Sequence, residues 1–228
     1  MEIIYEDNHI IAVNKSCSEI VQGDKTGDKP LSEILKDYIK EKYQKPGKVY
    51  LGVPHRLDRP TSGIVLFART SKALERLNDM FREKGEIRKI YWAVVDRKPN
   101  PDHATLNHFM IRNTEKNKSF AYDEPKAGSK EASLTYTCLA SSDRYHLLEI
   151  ELHTGRHHQI RAQLAAIGCH IKGDLKYGFP RSNPDGGIHL HARQIEFVHP
   201  VKKEKVTITA KPPKDRIWDF FLNVSGDK

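Results

Sequence analysis

The sequence predicts an α+β fold, a mixed and largely antiparallel sheet with helices packed against it. Three observations carry that expectation. Strand-like segments dominate the second half of the chain with few helical stretches between them. Two of them, Ser133–Leu139 and Tyr145–Leu152, are joined by Ala-Ser-Ser-Asp-Arg, a linker of hairpin length. The regular strand–helix–strand alternation of a parallel sheet is missing, and so is any internal repeat.

The chain opens with two short strands, Ile3–Tyr5 and Ile10–Val13, around the turn formers Asp7 and Asn8. Ser16 to Pro30 is polar and glycine-containing, hence loop. Leu31, Ile34, Leu35, Tyr38 and Ile39 recur at helical spacing and predict a helix over Leu31–Lys45. Leu74, Leu77, Met80 and Phe81 do the same for Ser71–Lys84, with Ser71 able to cap its start and Gly85 to close it. Further strands are expected at Ile64–Phe67, Lys89–Val95, Ile188–Phe197 and Lys205–Ala210, and further helices at Arg156–Ile167 and Asp215–Leu222. Ile111–Lys130 reads as the least structured stretch. It carries Arg112, Lys116, Lys118, Lys126 and Lys130, either a solvated loop or one that grips a polyanion.

Composition narrows the class of partner. Of the 228 residues, 38% are hydrophobic, enough for a sizeable core, and 30% are charged. Lys and Arg number 38 against 30 Asp and Glu, a net charge of +8 with a pI near 9.3. Such a surface attracts polyanions, nucleic acid foremost, although ordinary solubility also accounts for a charge of this size. Cys17, Cys138 and Cys169 are odd in number and widely spaced, so no disulfide framework is expected and a reducing compartment fits. Glu2, Glu6 and Asp7 stand where a signal peptide needs positive charge, and nothing approaches the ~18–20 apolar residues of a membrane span. A soluble cytoplasmic protein with no membrane partner is the expectation.

Three segments carry residue types suited to chemistry. In Pro54-His55-Arg56-Leu57-Asp58-Arg59-Pro60-Thr61-Ser62-Gly63 an irregular turn leads into an apolar strand. Pro60 withholds a backbone donor and Gly63 permits angles that other residues resist. Asp58, flanked by Arg56 and Arg59, is expected to be ionised, as a nucleophile or base in a cleft or as a surface ion pair. In Lys89–Val95, alternation puts Tyr91, Ala93 and Val95 on one face and Ile90, Trp92 and Val94 on the other, as in a central strand. Tyr91 offers a ring that can stack on a base and a hydroxyl that can exchange a proton, or it is simply core.

The third segment is Leu152-His153-Thr154-Gly155-Arg156-His157-His158-Gln159-Ile160-Arg161-Ala162-Gln163-Leu164. It reads as a strand end, a turn, and a helix whose first turn holds Arg156, His157 and His158. Cations at that end oppose the helix dipole, which makes sense if an anion or carboxylate sits opposite. Arg161, one turn further on, can make a bidentate pair with Asp58. A metal held by His153, His157 and His158 is disfavoured, because the spacing spans a turn and no Glu or Cys joins them. Gly173–Gly178 and Ile188–Arg193 add a glycine-rich turn and a basic strand.

Taken in order, HRLDRPTSG, KIYWAVV, TGRHHQIRAQL, GDLKYG and HLHARQIEFVHP resemble the RluA-like family of RNA pseudouridine synthases, over about Ile3 to Pro200. The resemblance implies the pseudouridine synthase fold, a bent mixed sheet crossed by a catalytic cleft, and no cofactor or metal. It makes Asp58 the catalytic aspartate and Tyr91 the tyrosine that stacks on the target base. Arg161 becomes the basic partner of the aspartate, and Arg56 the residue that fills the space left by the flipped nucleotide. His157 and Gln163 stand where the family usually has Thr and His, and Asn14-Lys15-Ser16-Cys17-Ser18 replaces a usual Asn-Lys-Pro-Ala-Gly run. Residues 1–228 are expected to form a single catalytic domain, two lobes about one cleft, without the S4 RNA-binding domain of many relatives. Structured RNA, a ribosomal or transfer RNA stem-loop, is then the partner. Arg56, Arg59, Arg156 and His157 are its candidate contacts, and the protein is expected to be a monomer. The rivals are a non-catalytic RNA-binding protein that kept the fold, and a hydrolase. A glycosidase wants a second carboxylate, which the three segments do not supply.

Overall fold

The computed structural model describes residues 1–24, 26–83 and 85–226. Its centre is one mixed sheet. β1 (Glu2–Glu6) and β2 (Ile10–Lys15) form the expected N-terminal hairpin, turned by Asp7, whose Oδ1 accepts from His9 N and Ile10 N at 2.8 and 2.9 Å. β2 pairs antiparallel with β3 (Ser62–Ala68), and β3 runs parallel to β9 (Leu190–Val198). β9 also pairs antiparallel with β4 (Ile87–Val95) and with β10 (Lys205–Thr209). Beyond β4 lies an antiparallel run of β8 (His146–Leu152), β7 (Lys130–Ser141), β5 (His103–Asn113) and β6 (Lys118–Tyr122).

The period-2 pattern explains how helices cover both sheet faces. Ile11, Val13, Val65 and Phe67 pack on α1 (Leu31–Lys42) through Leu31, Leu35 and Ile39. Their neighbours Ile10, Ala12, Ile64 and Leu66 face the other way, onto Ala73 and Leu77 of α2 (Ser71–Arg82). In β4, Tyr91, Ala93 and Val95 join the cluster that holds Ile160 and Leu164 of α3 (Gln159–Ala166). Trp92 and Val94 pack instead with Trp218 and Phe221 of α4 (Arg216–Ser225). The alternation read from the sequence is therefore the observed one.

Several expectations are corrected. Ile111–Lys130 is not an open loop: it holds the end of β5, the turn at 114–117, β6, and a connection at 123–129. β5 had no sequence signal, because His103, Asn107, His108 and Arg112 interrupt its apolar positions. α1 stops at Lys42 rather than Lys45, with Gln44 at φ 48° turning the chain. α2 ends at Arg82, and the expected terminus Lys84 lies outside the described residues. Its cap is Thr70, whose side chain accepts from Ala73 N at 3.2 Å, not Ser71. α4 starts one residue later than expected, because Asp215 is its cap and accepts from Ile217 N and Trp218 N. No described helix is long and apolar enough to cross a membrane.

Two features fix the strands that carry the site. Gly63 has φ 111°, and a Cβ there would overlap the backbone of Ala192, so the close β3–β9 approach needs glycine. Between Ile90 and Tyr91 the β4–β9 register shifts, a bulge of the kind that re-aims a side chain.

Candidate active site

Asp58 sits in the turn before β3, and that turn is tied down at four successive carbonyls, Asp58 to Thr61. Asp58 O accepts from Thr61 N at 3.0 Å, Arg59 O from Ser18 N at 3.1 Å, and Pro60 O from Ile188 N at 3.0 Å. Lys15 completes the set. Its ammonium, 1% exposed, donates to the carbonyls of Ser16, Arg59 and Thr61 at 2.9, 3.0 and 2.7 Å. Burial pulls this ammonium down to about 8. His55 anchors the turn's approach: Nε2 accepts from Leu66 N at 2.9 Å and the ring stacks on Phe81 at 4.5 Å. Burial, and then Lys89, takes its pKa to about 3, so the ring remains a neutral acceptor.

The carboxylate meets α3. Arg161 NH1 donates to Asp58 Oδ2 at 3.1 Å, within the range expected of a true hydrogen bond. The predicted partner is present but the pair is not bidentate, because the guanidinium spends its other side on Asp174. Nε donates to Asp174 Oδ2 at 2.6 Å and NH2 to Oδ1 at 2.8 Å. Arg161 is 5% and Asp174 1% exposed, and Tyr177 lies under the guanidinium at 5.0 Å. Burial works against the Arg161 charge, and the bond to Asp174 overrides it, so its pKa is raised. Sequence reasoning missed Asp174. Its only signal was its place in the Gly173–Gly178 turn, whose helical part is Leu175–Tyr177.

Asp58 and Arg161 line one cavity with Arg56, Tyr91, Arg156 and His158; its empty volume is about 510 Å³. Tyr91 is thus a wall of the cleft as well as part of a core strand. Burial, then the nearby Asp58 charge, raise its phenol far above the ordinary value, so the hydroxyl is a proton donor rather than a base at neutral pH. If the ring stacks on substrate while the hydroxyl moves a proton, Tyr91→Phe and Tyr91→Ala differ. The expected result is a smaller loss in Tyr91→Phe than in Tyr91→Ala, read from single-turnover rates on one RNA. Equal rates in the two variants contradict the stacking role, and rates equal to that of the unmodified protein contradict both.

The other candidates separate. Arg56 is exposed at the cavity, while Arg59 turns away to pair with Asp28, so neither flanking arginine is the carboxylate's hydrogen-bond partner. Arg156 lines the cavity and donates from Nε to Glu131 O at 2.9 Å. His157 and His158 lie in the turn before α3 rather than inside its first turn, correcting the expected helix start at Arg156. Their rings stack at 3.8 Å, and His157 Nδ1 is 2.8 Å from Ser119 Oγ on β6. His153 goes elsewhere, to Thr135 at 2.8 Å. Lys118 and Lys126 lie over aromatic rings, Lys118 at 4.9 Å from Tyr177 and Lys126 at 3.7 Å from Tyr122. Gln163, fully buried, links Gln159 Nε2 to His108 Nδ1 at 2.9 Å on either side.

The family model for RNA pseudouridylate synthase matches residues 9–166, which include Asp58, Tyr91 and Arg161. The chain belongs to this family. An RNA pseudouridine synthase of Synechocystis sp., itself described as uncharacterized, is 31% identical over 216 residues, 93% of this chain and 66% of that protein. The chain thus spans just under two thirds of that relative's length. The tRNA pseudouridine synthase C of Salmonella typhi is 32% identical over a 247-residue alignment covering 99% of this chain and 90% of the relative. In fold, the chain is similar to human RNA Pseudouridylate Synthase Domain Containing 4. The TM-score is 0.79 at 22% identity, covering 99% of this chain and 93% of that one. The α+β sheet described above is therefore that of a pseudouridylate synthase.

Proposed function

We propose that this protein is an RNA pseudouridine synthase acting on uridines in structured RNA, a transfer or ribosomal RNA stem-loop, through a single catalytic domain formed by residues 1–228. The observation that carries the reading is the Asp58 carboxylate in the cleft, hydrogen-bonded to Arg161 at 3.1 Å with Tyr91 on the same wall. The reaction breaks the N1–C1′ bond of a uridine, turns the uracil and rejoins it through C5. A stacked uridine is out of reach, so it is extruded into the cavity at a cost of a few kcal/mol, least in loops and bulges. Asp58 acts as the charged group that opens the bond, towards the base or the ribose. Tyr91 holds the detached uracil by stacking, and Arg56 occupies the gap left in the RNA.

Hydrolysis is the less favoured reading. A glycosidase needs a second carboxylic acid free to protonate the leaving group. The nearby Asp174 is buried and bound by both oxygens to Arg161, so it is not available for that task. The product separates the readings: pseudouridine for the isomerase, free uracil for a hydrolase, unchanged RNA for a binding protein.

The RNA is held by charge in this account. Arg56, Arg156 and His157 lie at or beside the cleft, with Arg59 further out and Lys116 and Lys118 on the adjacent β5–β6 hairpin. About five phosphate contacts give a log–log salt slope near −3 to −4 for single strands. Lys118→Ala is expected to flatten that slope by somewhat under one unit, whereas Arg56→Ala lowers turnover more than affinity. Affinity that ignores salt contradicts this electrostatic account.

A further inference from the structure

The turn before α3 places a second group against the nucleophile. His158 Nε2 lies 3.5 Å from Asp58 Oδ2, the oxygen that also receives Arg161. On its other side, His158 Nδ1 is 3.0 Å from the hydroxyl of Tyr177. That hydroxyl oxygen accepts from Ser119 N at 2.8 Å, so its own O–H is left to donate to Nδ1. With Nδ1 an acceptor, the neutral ring carries its hydrogen on Nε2, facing Asp58. Burial, followed by Arg161 and the other cations nearby, holds the pKa of His158 at about 2, so the ring is neutral. Two hydrogen bonds therefore run from β6 through Tyr177 to His158, whose Nε2 stands 3.5 Å from the carboxylate.

The backbone at this point is left-handed. His158 has φ 52° and ψ 28°, a left-handed conformation that costs a β-carbon residue free energy. Its side chain makes no capping bond to α3, so helix capping does not explain the conformation. What the geometry achieves is to seat the ring between His157, at 3.8 Å, and the edge of Tyr177, with Nε2 towards Asp58. Among the described residues no donor reaches Asp58 Oδ1, and the side chain is 28% exposed to the cleft.

We propose that His158 is a positioning residue, whose Nε2–H joins Arg161 on Oδ2 of Asp58 and thereby leaves Oδ1 as the oxygen presented to the uridine. This rests on the reading of Asp58 as nucleophile in an RNA pseudouridine synthase. The 3.5 Å separation shortens when the extruded nucleotide fills the cavity, as catalytic hydrogen bonds commonly do on substrate binding. Tyr177 sets the tautomer, and Ser119 ties that tautomer to the β5–β6 hairpin.

The test compares the unmodified protein with His158→Gly, His158→Gln and Tyr177→Phe on one uridine-containing stem-loop, reading pseudouridine formation and melting temperature. Glycine suits the left-handed backbone, so it removes the ring without adding strain. His158→Gly is expected to lower kcat roughly 10- to 100-fold, the worth of a hydrogen bond to a charged group. KM stays within about threefold, as for an interaction realised in the transition state. His158→Gln, which returns an N–H near the Nε2 position, recovers most of that loss, and Tyr177→Phe falls in between. Equal kcat for the unmodified protein and His158→Gly overturns the proposal. So does a Gly variant whose KM and melting temperature deteriorate with kcat and which Gln does not rescue, the signature of a packing role. An unmodified protein that makes no pseudouridine overturns the functional reading itself, and His158's role with it.

Discussion

Replacing Arg161 by methionine is expected to destabilise the protein by about 3–5 kcal/mol, because it strands the buried Asp174 carboxylate without its cation. Asp174 is 1% exposed and receives two hydrogen bonds from Arg161, at 2.6 and 2.8 Å. Denaturant unfolding of the single variant reads this directly. The double variant Arg161→Met with Asp174→Leu removes the stranded charge and recovers most of the stability, without restoring turnover, since Asp58 has still lost its 3.1 Å partner. Stability and catalysis thus come apart in one pair of variants. Arg161→Lys falls between, because one ammonium has no planar fork to serve two carboxylates. A single variant within about 1 kcal/mol of the unmodified protein contradicts the paired arrangement.

Replacing Asp58 by asparagine is expected to reduce turnover by at least a hundredfold, roughly the loss of the only nucleophile proposed. Fold and RNA affinity change little. The turn is held by its own carbonyls through Lys15, Ser18, Thr61 and Ile188, and not by the Asp58 side chain. Asparagine keeps the shape and an acceptor for Arg161 but loses the negative charge. Melting temperature and RNA binding close to those of the unmodified protein, with product absent, are the expected pattern. A collapse of binding together with activity contradicts the separation of roles.

Much of this site was legible in the sequence because its parts are local. Asp58 and Arg161 lie in segments with turn and helix signals of their own, and Tyr91 lies in a strand whose alternation is the observed one. Other features depend on long-range packing and leave no local trace. Asp174 becomes the main partner of Arg161 only when the 173–178 turn folds onto α3. Lys15 carries no local mark of its burial, which arises only when β2 brings it beneath Arg59 and Thr61. β5 and β6 were invisible because polar residues at paired positions broke the period-2 pattern that marks a strand. The left-handed turn at His158 deceived the helix reading: its neighbours have helical propensity, but the ring's contacts with Tyr177 and Asp58 override it.

The most direct measurement is site-resolved pseudouridine mapping of RNA incubated with the unmodified protein and with Asp58→Asn. The account predicts pseudouridine at a few discrete uridines with the unmodified protein, no free uracil, and none of those sites converted by Asp58→Asn. Uridines left unchanged by the unmodified protein, or the same sites converted by both proteins, would contradict it.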